Sequence, residues 1–277
     1  MPSKFEGLPT EAVLDAAREL DRLSAADVLA LIHQQDAIAH AAVGGCLPEM
    51  EAAVDVLATA LAGGGRWFNV GAGTSGRLGV LDASELPPTY GMSPRVVQAV
   101  IAGGDRALRH PVEGAEDDPA AAAFELAERG LAAGDVVVGI SASGRTPFVL
   151  GAMKAAREAG ARSVAICCDR NSLLAEAGEI SIVAEVGPEV VAGSTRMKGG
   201  LAQKMILAAL STAVMVKLGK VRGNYMTHVT PVSNKLRGRA LRMVMEIAGV
   251  DRARARSLLR DSEGNVERAL EAARRSA

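Results

Sequence analysis

Aromatic residues make up only 3% of the 277-residue chain, one Trp, two Tyr and four Phe. So few rings remove the stacking platforms on which single-stranded nucleic acids are held. Charge of one sign is missing too: 31 Lys and Arg face 32 Asp and Glu. With no global field to draw nucleic acid or an acidic membrane, neither is expected as a partner. The three cysteines, Cys46, Cys167 and Cys168, have no metal-ligand spacing and fit a reducing cytoplasm. The four histidines, His33, His40, His110 and His228, are scattered, so no metal centre is expected. The amino-terminal MPSKFEGLPTEAV lacks an apolar signal core. No unbroken apolar run approaches the roughly 20 residues that span a bilayer. A cytoplasmic protein is the expectation.

What is present is 49% hydrophobic residues, ample for a sizeable core. Short apolar runs at 67–70, 95–101, 135–140, 162–167 and 179–185 alternate with helical patterns. That order predicts an α/β fold, a doubly wound five-stranded parallel sheet flanked by helices. Helical spacing also predicts three amino-terminal helices at 11–21, 25–43 and 48–62, with Ser24 as N-cap of the second. Gly63, Gly64 and Gly65 end the third. A strongly apolar helix is expected over 195–218, its circumference suited to packing on the sheet and on a second subunit, hence a homodimer. From Arg237 onward the texture turns arginine-rich, with three short helical segments. The expected organisation is a helical segment at 1–62, a sheet domain at 63–236 and a small helical bundle at 237–277.

Two turns carry the chemistry. GAGTSGR, Gly71 to Arg77, and SASGRT, Ser141 to Thr146, each follow a buried strand and lead into a helix. Ligands of doubly wound sheets sit beyond the carboxyl ends of the strands, where amides and helix N-termini face negative charge. Gly73 and Gly76 permit close backbone approach, and Thr74, Ser75, Ser141, Ser143 and Thr146 supply hydroxyl donors. The pair predicts a shared phosphate; the alternative is that the hydroxyls are ordinary helix N-caps. Gly71, Gly73 and Gly76 also spell G-x-G-x-x-G. A dinucleotide site needs an acid closing the second strand, and Gln98 to Ile101 supply none before Asp105.

The strings GAGTSGRLGVLDASELPPTYG, IAGGDRALRHPVEGAEDD, DVVVGISASGRTPFV and GSTRMKGGLAQKMIL closely resemble the N-acetylmuramic acid 6-phosphate etherases. The resemblance runs from about Asp21 to Asn224. It implies the sugar isomerase (SIS) fold, a sugar phosphate substrate, no metal or organic cofactor, and a cytoplasmic enzyme of cell-wall recycling that releases D-lactate. It also implies two proton-carrying groups, Glu85 in DASELPP as the acid that protonates departing lactate and Glu116 in EGAED as a second acid/base. Glu113 competes for the second role, and both glutamates are expected beside the cradle. Lys235 and the loop around His228 are candidates for cross-subunit contact.

The chain departs from the family at four places. Ala12, Val13 and Leu14 replace part of T-E-x-R-N; His33-Gln34-Gln35-Asp36 stands for N-x-E-D; Val232-Ser233-Asn234 stands for T-N-E; and Leu86 replaces a cysteine. These put the sugar's C3 substituent in question more than the reaction. An aldose–ketose isomerase of the same fold and a non-catalytic sugar phosphate sensor are the competing readings.

Overall fold

The computed structural model describes residues 9–229, 231 and 233–275. The amino-terminal reading over residues 1–8 and the departure at Val232 lie outside the described residues. Five strands, β1 Trp67–Gly71, β2 Val97–Ile101, β3 Val136–Ile140, β4 Arg162–Cys167 and β5 Ile180–Val183, form one parallel sheet. Its order is β2-β1-β3-β4-β5, so the chain winds outward both ways from β1 and β3. The strands are apolar runs because both faces are covered. Trp67, Val136, Val138, Ile140, Val164 and Ile166 point into one core; Phe68, Val70, Val137, Ala165 and Cys167 point into the other.

Helices α1 Ala25–Gly44, α2 Leu47–Ala62 and α7 Lys198–Lys217 close the first face. Helix α3 Gly73–Tyr90 packs on the first face as well, between the sheet and α7, and α4 Pro119–Glu128, α5 Pro147–Glu158 and the short α6 Leu173–Ala177 close the second. Ser24 caps α1 as expected, accepting from the Asp27 amide. A separate core gathers Ala240, Met243, Val244, Leu258, Val266 and Leu270 from α8 Asn234–Ala248, α9 Arg252–Asp261 and α10 Val266–Arg275.

One expectation needs correction. The segment 11–21 is not an α-helix but two 3-10 turns, Asp15–Ala17 and Leu20–Arg22, none of whose residues is buried. A helix this short persists only when packing covers one face, and here Leu14, Ala17 and Leu20 are no more than half-buried. Helix α7 is long and apolar enough to cross a membrane by length and composition, although no unbroken apolar run in it reaches 18 residues. More than half of it, 56%, is buried inside the fold, against α1, α2 and α3 among others. The three cysteines are free and buried, Cys167 and Cys168 at the end of β4.

Candidate active site

Strands β1 and β3 are neighbours, so their carboxyl ends deliver the two turns side by side. Together they line one hollow of about 870 Å³, which takes in Gly73, Thr74, Ser75, Ser141, Ser143 and Thr146. Glu116 lines it as well, carried by the 3-10 turn Ala115–Asp117 ahead of α4. Both turns and Glu116, one of the two glutamates expected there, therefore meet at one hollow.

Backbone geometry fixes each turn. Gly73 has φ +52° and Gly144 φ +65°, left-handed values that favour glycine. A Cβ at Gly144 would also lie 2.2 Å from Ser172 Oγ, inside any permitted contact. In the second turn Ser141 Oγ pairs with Thr146 Oγ1 at 2.8 Å and accepts from the Gly144 amide at 3.1 Å. Ser143 Oγ accepts from the Arg145 amide at 3.3 Å.

The N-cap alternative is decided by the helix starts. Neither α3, which begins after Ala72, nor α5, which begins after Thr146, has a side-chain cap or an acidic residue in its first turn. The first-turn amides of α3, and those of Phe148 and Val149 behind Pro147 in α5, are the uncapped donors that anions seek at helix N-termini. Arg145 adds a positive charge at the same wall, its guanidinium held 3.7 Å from Asp169 and donating to Asn171 O.

Two predicted residues lie elsewhere. Gly76 does not line the hollow: a Cβ there would meet Ile101 Cγ1 at 2.6 Å and Gly71 O at 2.7 Å, so it is a packing glycine that lets α3 sit against β1 and β2. Glu85 is exposed and far along α3. Twelve residues of helix beyond Gly73 displace it by about 18 Å. It borders a second hollow, of about 360 Å³ between α3 and α7, with Asp82, Lys204 and Ser211. The competitor Glu113 does not line the cradle hollow.

Asp82 is the perturbed group of that second hollow. Its Oδ1 accepts from Ser211 Oγ at 2.8 Å, and its Oδ2 is buried without a partner among the described residues. Burial pushes its carboxyl up to about 6, against the opposing pull of Ser211, Lys204 and Asn69.

Sequence reasoning missed several contributors. Glu11 lines the cradle hollow from the amino-terminal segment, its carboxylate seated in the notch that a Cβ at Gly193 would fill. Behind the cradle, the buried Glu189 accepts from the Lys198 and Gly199 amides at 3.0 and 2.9 Å and so caps α7. Lys198, 1% exposed, donates from Nζ to Gln35 Oε1 at 2.7 Å, and burial lowers its affinity for the proton against the pull of Glu189 and Asp36. The departure at His33–Asp36 thus touches the seam between α1 and α7, and Leu86, 2% exposed, fills core space.

The geometry defines a class: an SIS-type α/β protein with a hydroxyl-lined hollow at the carboxyl rim of its sheet. Family models agree, matching the SIS domain at residues 122–213, the glucokinase regulatory protein N-terminal SIS domain at 49–157 and a UBA-like domain at 240–272. Among solved structures, a phosphoheptose isomerase from Francisella tularensis aligns with TM-score 0.55 at 17% identity, covering 70% of this chain and all of that one. The phosphoheptose isomerase of Neisseria gonorrhoeae aligns with TM-score 0.51 at 21% identity, covering 68% and 96%. These two likenesses establish the fold.

Sequence relatives are much nearer. The N-acetylmuramic acid 6-phosphate etherase of Aeromonas hydrophila is 49% identical over 270 residues, 98% of this chain and 91% of its own. That of Symbiobacterium thermophilum is 48% identical over 263 residues, 95% and 87%. This chain belongs to the N-acetylmuramic acid 6-phosphate etherase family, which is a family of lyases.

Proposed function

We propose that the protein cleaves the D-lactyl ether of N-acetylmuramic acid 6-phosphate, yielding N-acetylglucosamine 6-phosphate and D-lactate. The observation that carries this reading is that both hydroxyl-rich turns and Glu116 line one hollow in a member of the etherase family. In the ring-opened sugar the C1 aldehyde acidifies the C2 proton. A base takes that proton, the C2–C3 double bond forms as lactate leaves C3 with a proton from an acid, and water then adds at C3. The uncapped amides of α3 and α5, with the hydroxyls, hold the 6-phosphate, and Glu116 carries one of the two protons.

Glu85 would then act from a second copy of the chain. Within one protomer about 18 Å of helix separates it from the start of the cradle turn. Its hollow is flanked by exposed Leu81 and, along α7, by Val216, at 47% and 51%, as befits a face that another subunit covers. A homodimer that apposes this face to the partner's cradle supplies both acids to each substrate, and the site works in cytoplasmic cell-wall recycling.

Incubation with N-acetylmuramic acid 6-phosphate and assay for D-lactate tests the reaction. Glu116→Gln and Glu85→Gln should each lower turnover by about 10²- to 10⁴-fold while the fold is retained. Absence of lactate from the unaltered protein rejects the reaction, and an aldose–ketose product without lactate points to the isomerase instead. Near-normal turnover of either variant removes that glutamate from the mechanism.

A further inference from the structure

Ser75 has one hydroxyl proton, and here it is directed away from the hollow that Ser75 lines. Ser75 Oγ donates to Gln203 Oε1 at 2.9 Å. Gln203 lies on α7 and is 1% exposed, yet its Nε2 is buried with no partner among the described residues. A buried amide that leaves its donors unpaired is costly, and an under-satisfied carbonyl oxygen is the better tolerated arrangement.

The two ends of a glutamine amide have nearly the same shape but opposite hydrogen-bonding roles. Turned over, Nε2 donates to Ser75 Oγ and the oxygen takes the unpartnered place. The serine oxygen then accepts, and its proton is free to point into the hollow. Little else at this contact can move. A Cβ at Gly200 would touch Thr74 Cγ2 at 3.3 Å and one at Gly199 would touch Ala142 Cβ at 3.3 Å, so α7 is seated directly on both turns. Glu189 pins the same helix end through two amides. The amide plane of Gln203 is the degree of freedom that remains.

We propose that Gln203 is a positioning residue for the anion cradle: with an anion in the hollow its amide donates to Ser75 Oγ, and the Ser75 hydroxyl donates to the anion. In the opposite amide orientation the serine proton rests on Gln203 Oε1. The inference rests on reading the cradle as a phosphate site.

The test is a double-variant cycle read by calorimetric titration with inorganic phosphate and with N-acetylglucosamine 6-phosphate. Gln203→Glu keeps the shape and, while its carboxyl is ionised, presents only acceptors, which traps the Ser75 proton; Gln203→Met removes the donor without adding charge. Either change should weaken binding in the Ser75 protein about tenfold more than in the Ser75→Ala protein, the worth of one hydrogen bond to a charged group. Turnover should show raised KM with kcat unchanged. Thermal melting of the unliganded variants identifies any that fail to fold, and the methionine variant carries the cycle if the glutamate one does. Equal losses in both serine backgrounds mean Gln203 only packs, and overturn the proposal while leaving the phosphate site standing. If the unaltered protein binds neither ligand, the cradle reading fails and this inference fails with it.

Discussion

The two ends of the sheet solve the same problem in opposite ways. At the amino end, Asp135, 3% exposed, accepts from the Arg66 amide, Nε and Nη2 and from the Ala132 amide, at 2.6 to 3.2 Å. The rest of the Arg66 guanidinium donates to the Arg129 and Gly130 carbonyls. The polar groups of this cluster are paired within the chain. At the carboxyl end, α3 and α5 start without side-chain caps at the hollow, as α2 does away from it, whereas α1, α4, α6, α8 and α9 each have one from Ser or Asp. One end closes its hydrogen bonds within the fold, and the other leaves helix-start donors uncapped beside the hollow. The contrast locates the site more sharply than any single residue does.

If that division is real, damage at the two ends must separate. The largest effect on stability is expected at the amino end. Asp135→Ala leaves the Arg66 charge and two amides without their acceptor and should lower unfolding free energy by about 3–5 kcal/mol. Denaturant titration measures the loss, and KM for the phosphosugar should stay unchanged. A large rise in KM with little loss of stability would show that the two ends are coupled.

A smaller effect sharpens the comparison through pH. Because the folded Asp82 carboxyl titrates at about 6, above its ordinary value, the native state holds a proton that the unfolded chain has lost between about pH 4 and pH 6. Its contribution therefore falls as pH rises through that window and is fully adverse above it, by up to about 3 kcal/mol. Asp82→Asn keeps an acceptor for Ser211 and fills the unpartnered oxygen's place with an amide. It should stabilise the protein at about pH 8 and leave it unaltered at about pH 4. Equal effects at both pH values would place the cost of Asp82 in packing rather than charge.

Much of this architecture was legible because local pattern and tertiary role coincide. The bounds expected for β4 are those observed, since an apolar run covered on both faces has no other reading. Strand β5 is shorter than expected: Glu179 and Glu185 leave the sheet for surface ion pairs with Arg162 and Arg170. The failure at 11–21 arises because helical spacing says nothing about whether a face exists to cover the helix. In the site, the turns were readable from their glycines and hydroxyls, whereas the position of Glu85 was not. Closeness in sequence along a helix is distance in space, and α3 carries Glu85 away from the turn that begins it. Glu11 was hidden because its contact with the hollow depends on Gly193, far along the chain. Lys198 and Gln203 did leave a signal, as polar residues on a long apolar helix.

Within the cradle itself the hydroxyls are not equivalent, which gives the finest test of a rim built for binding rather than folding. Ser141, 4% exposed, already pairs with Thr146 and accepts from the Gly144 amide, so it holds the turn together. Ser143 is more open and accepts from the Arg145 amide at 3.3 Å, with Ser141 Oγ no nearer than 3.5 Å. Its proton is thus the less committed of the two. Ser143→Ala should cost binding one charge-assisted hydrogen bond, about 1.5–3 kcal/mol, seen as a rise in KM of roughly tenfold to a hundredfold with an unchanged melting temperature. Ser141→Ala should raise KM and lower the melting temperature together, because the Gly144 amide loses its acceptor. Should Ser143→Ala instead destabilise the protein with KM intact, the second turn would resemble the amino end of the sheet, closed on itself with nothing reserved for a ligand.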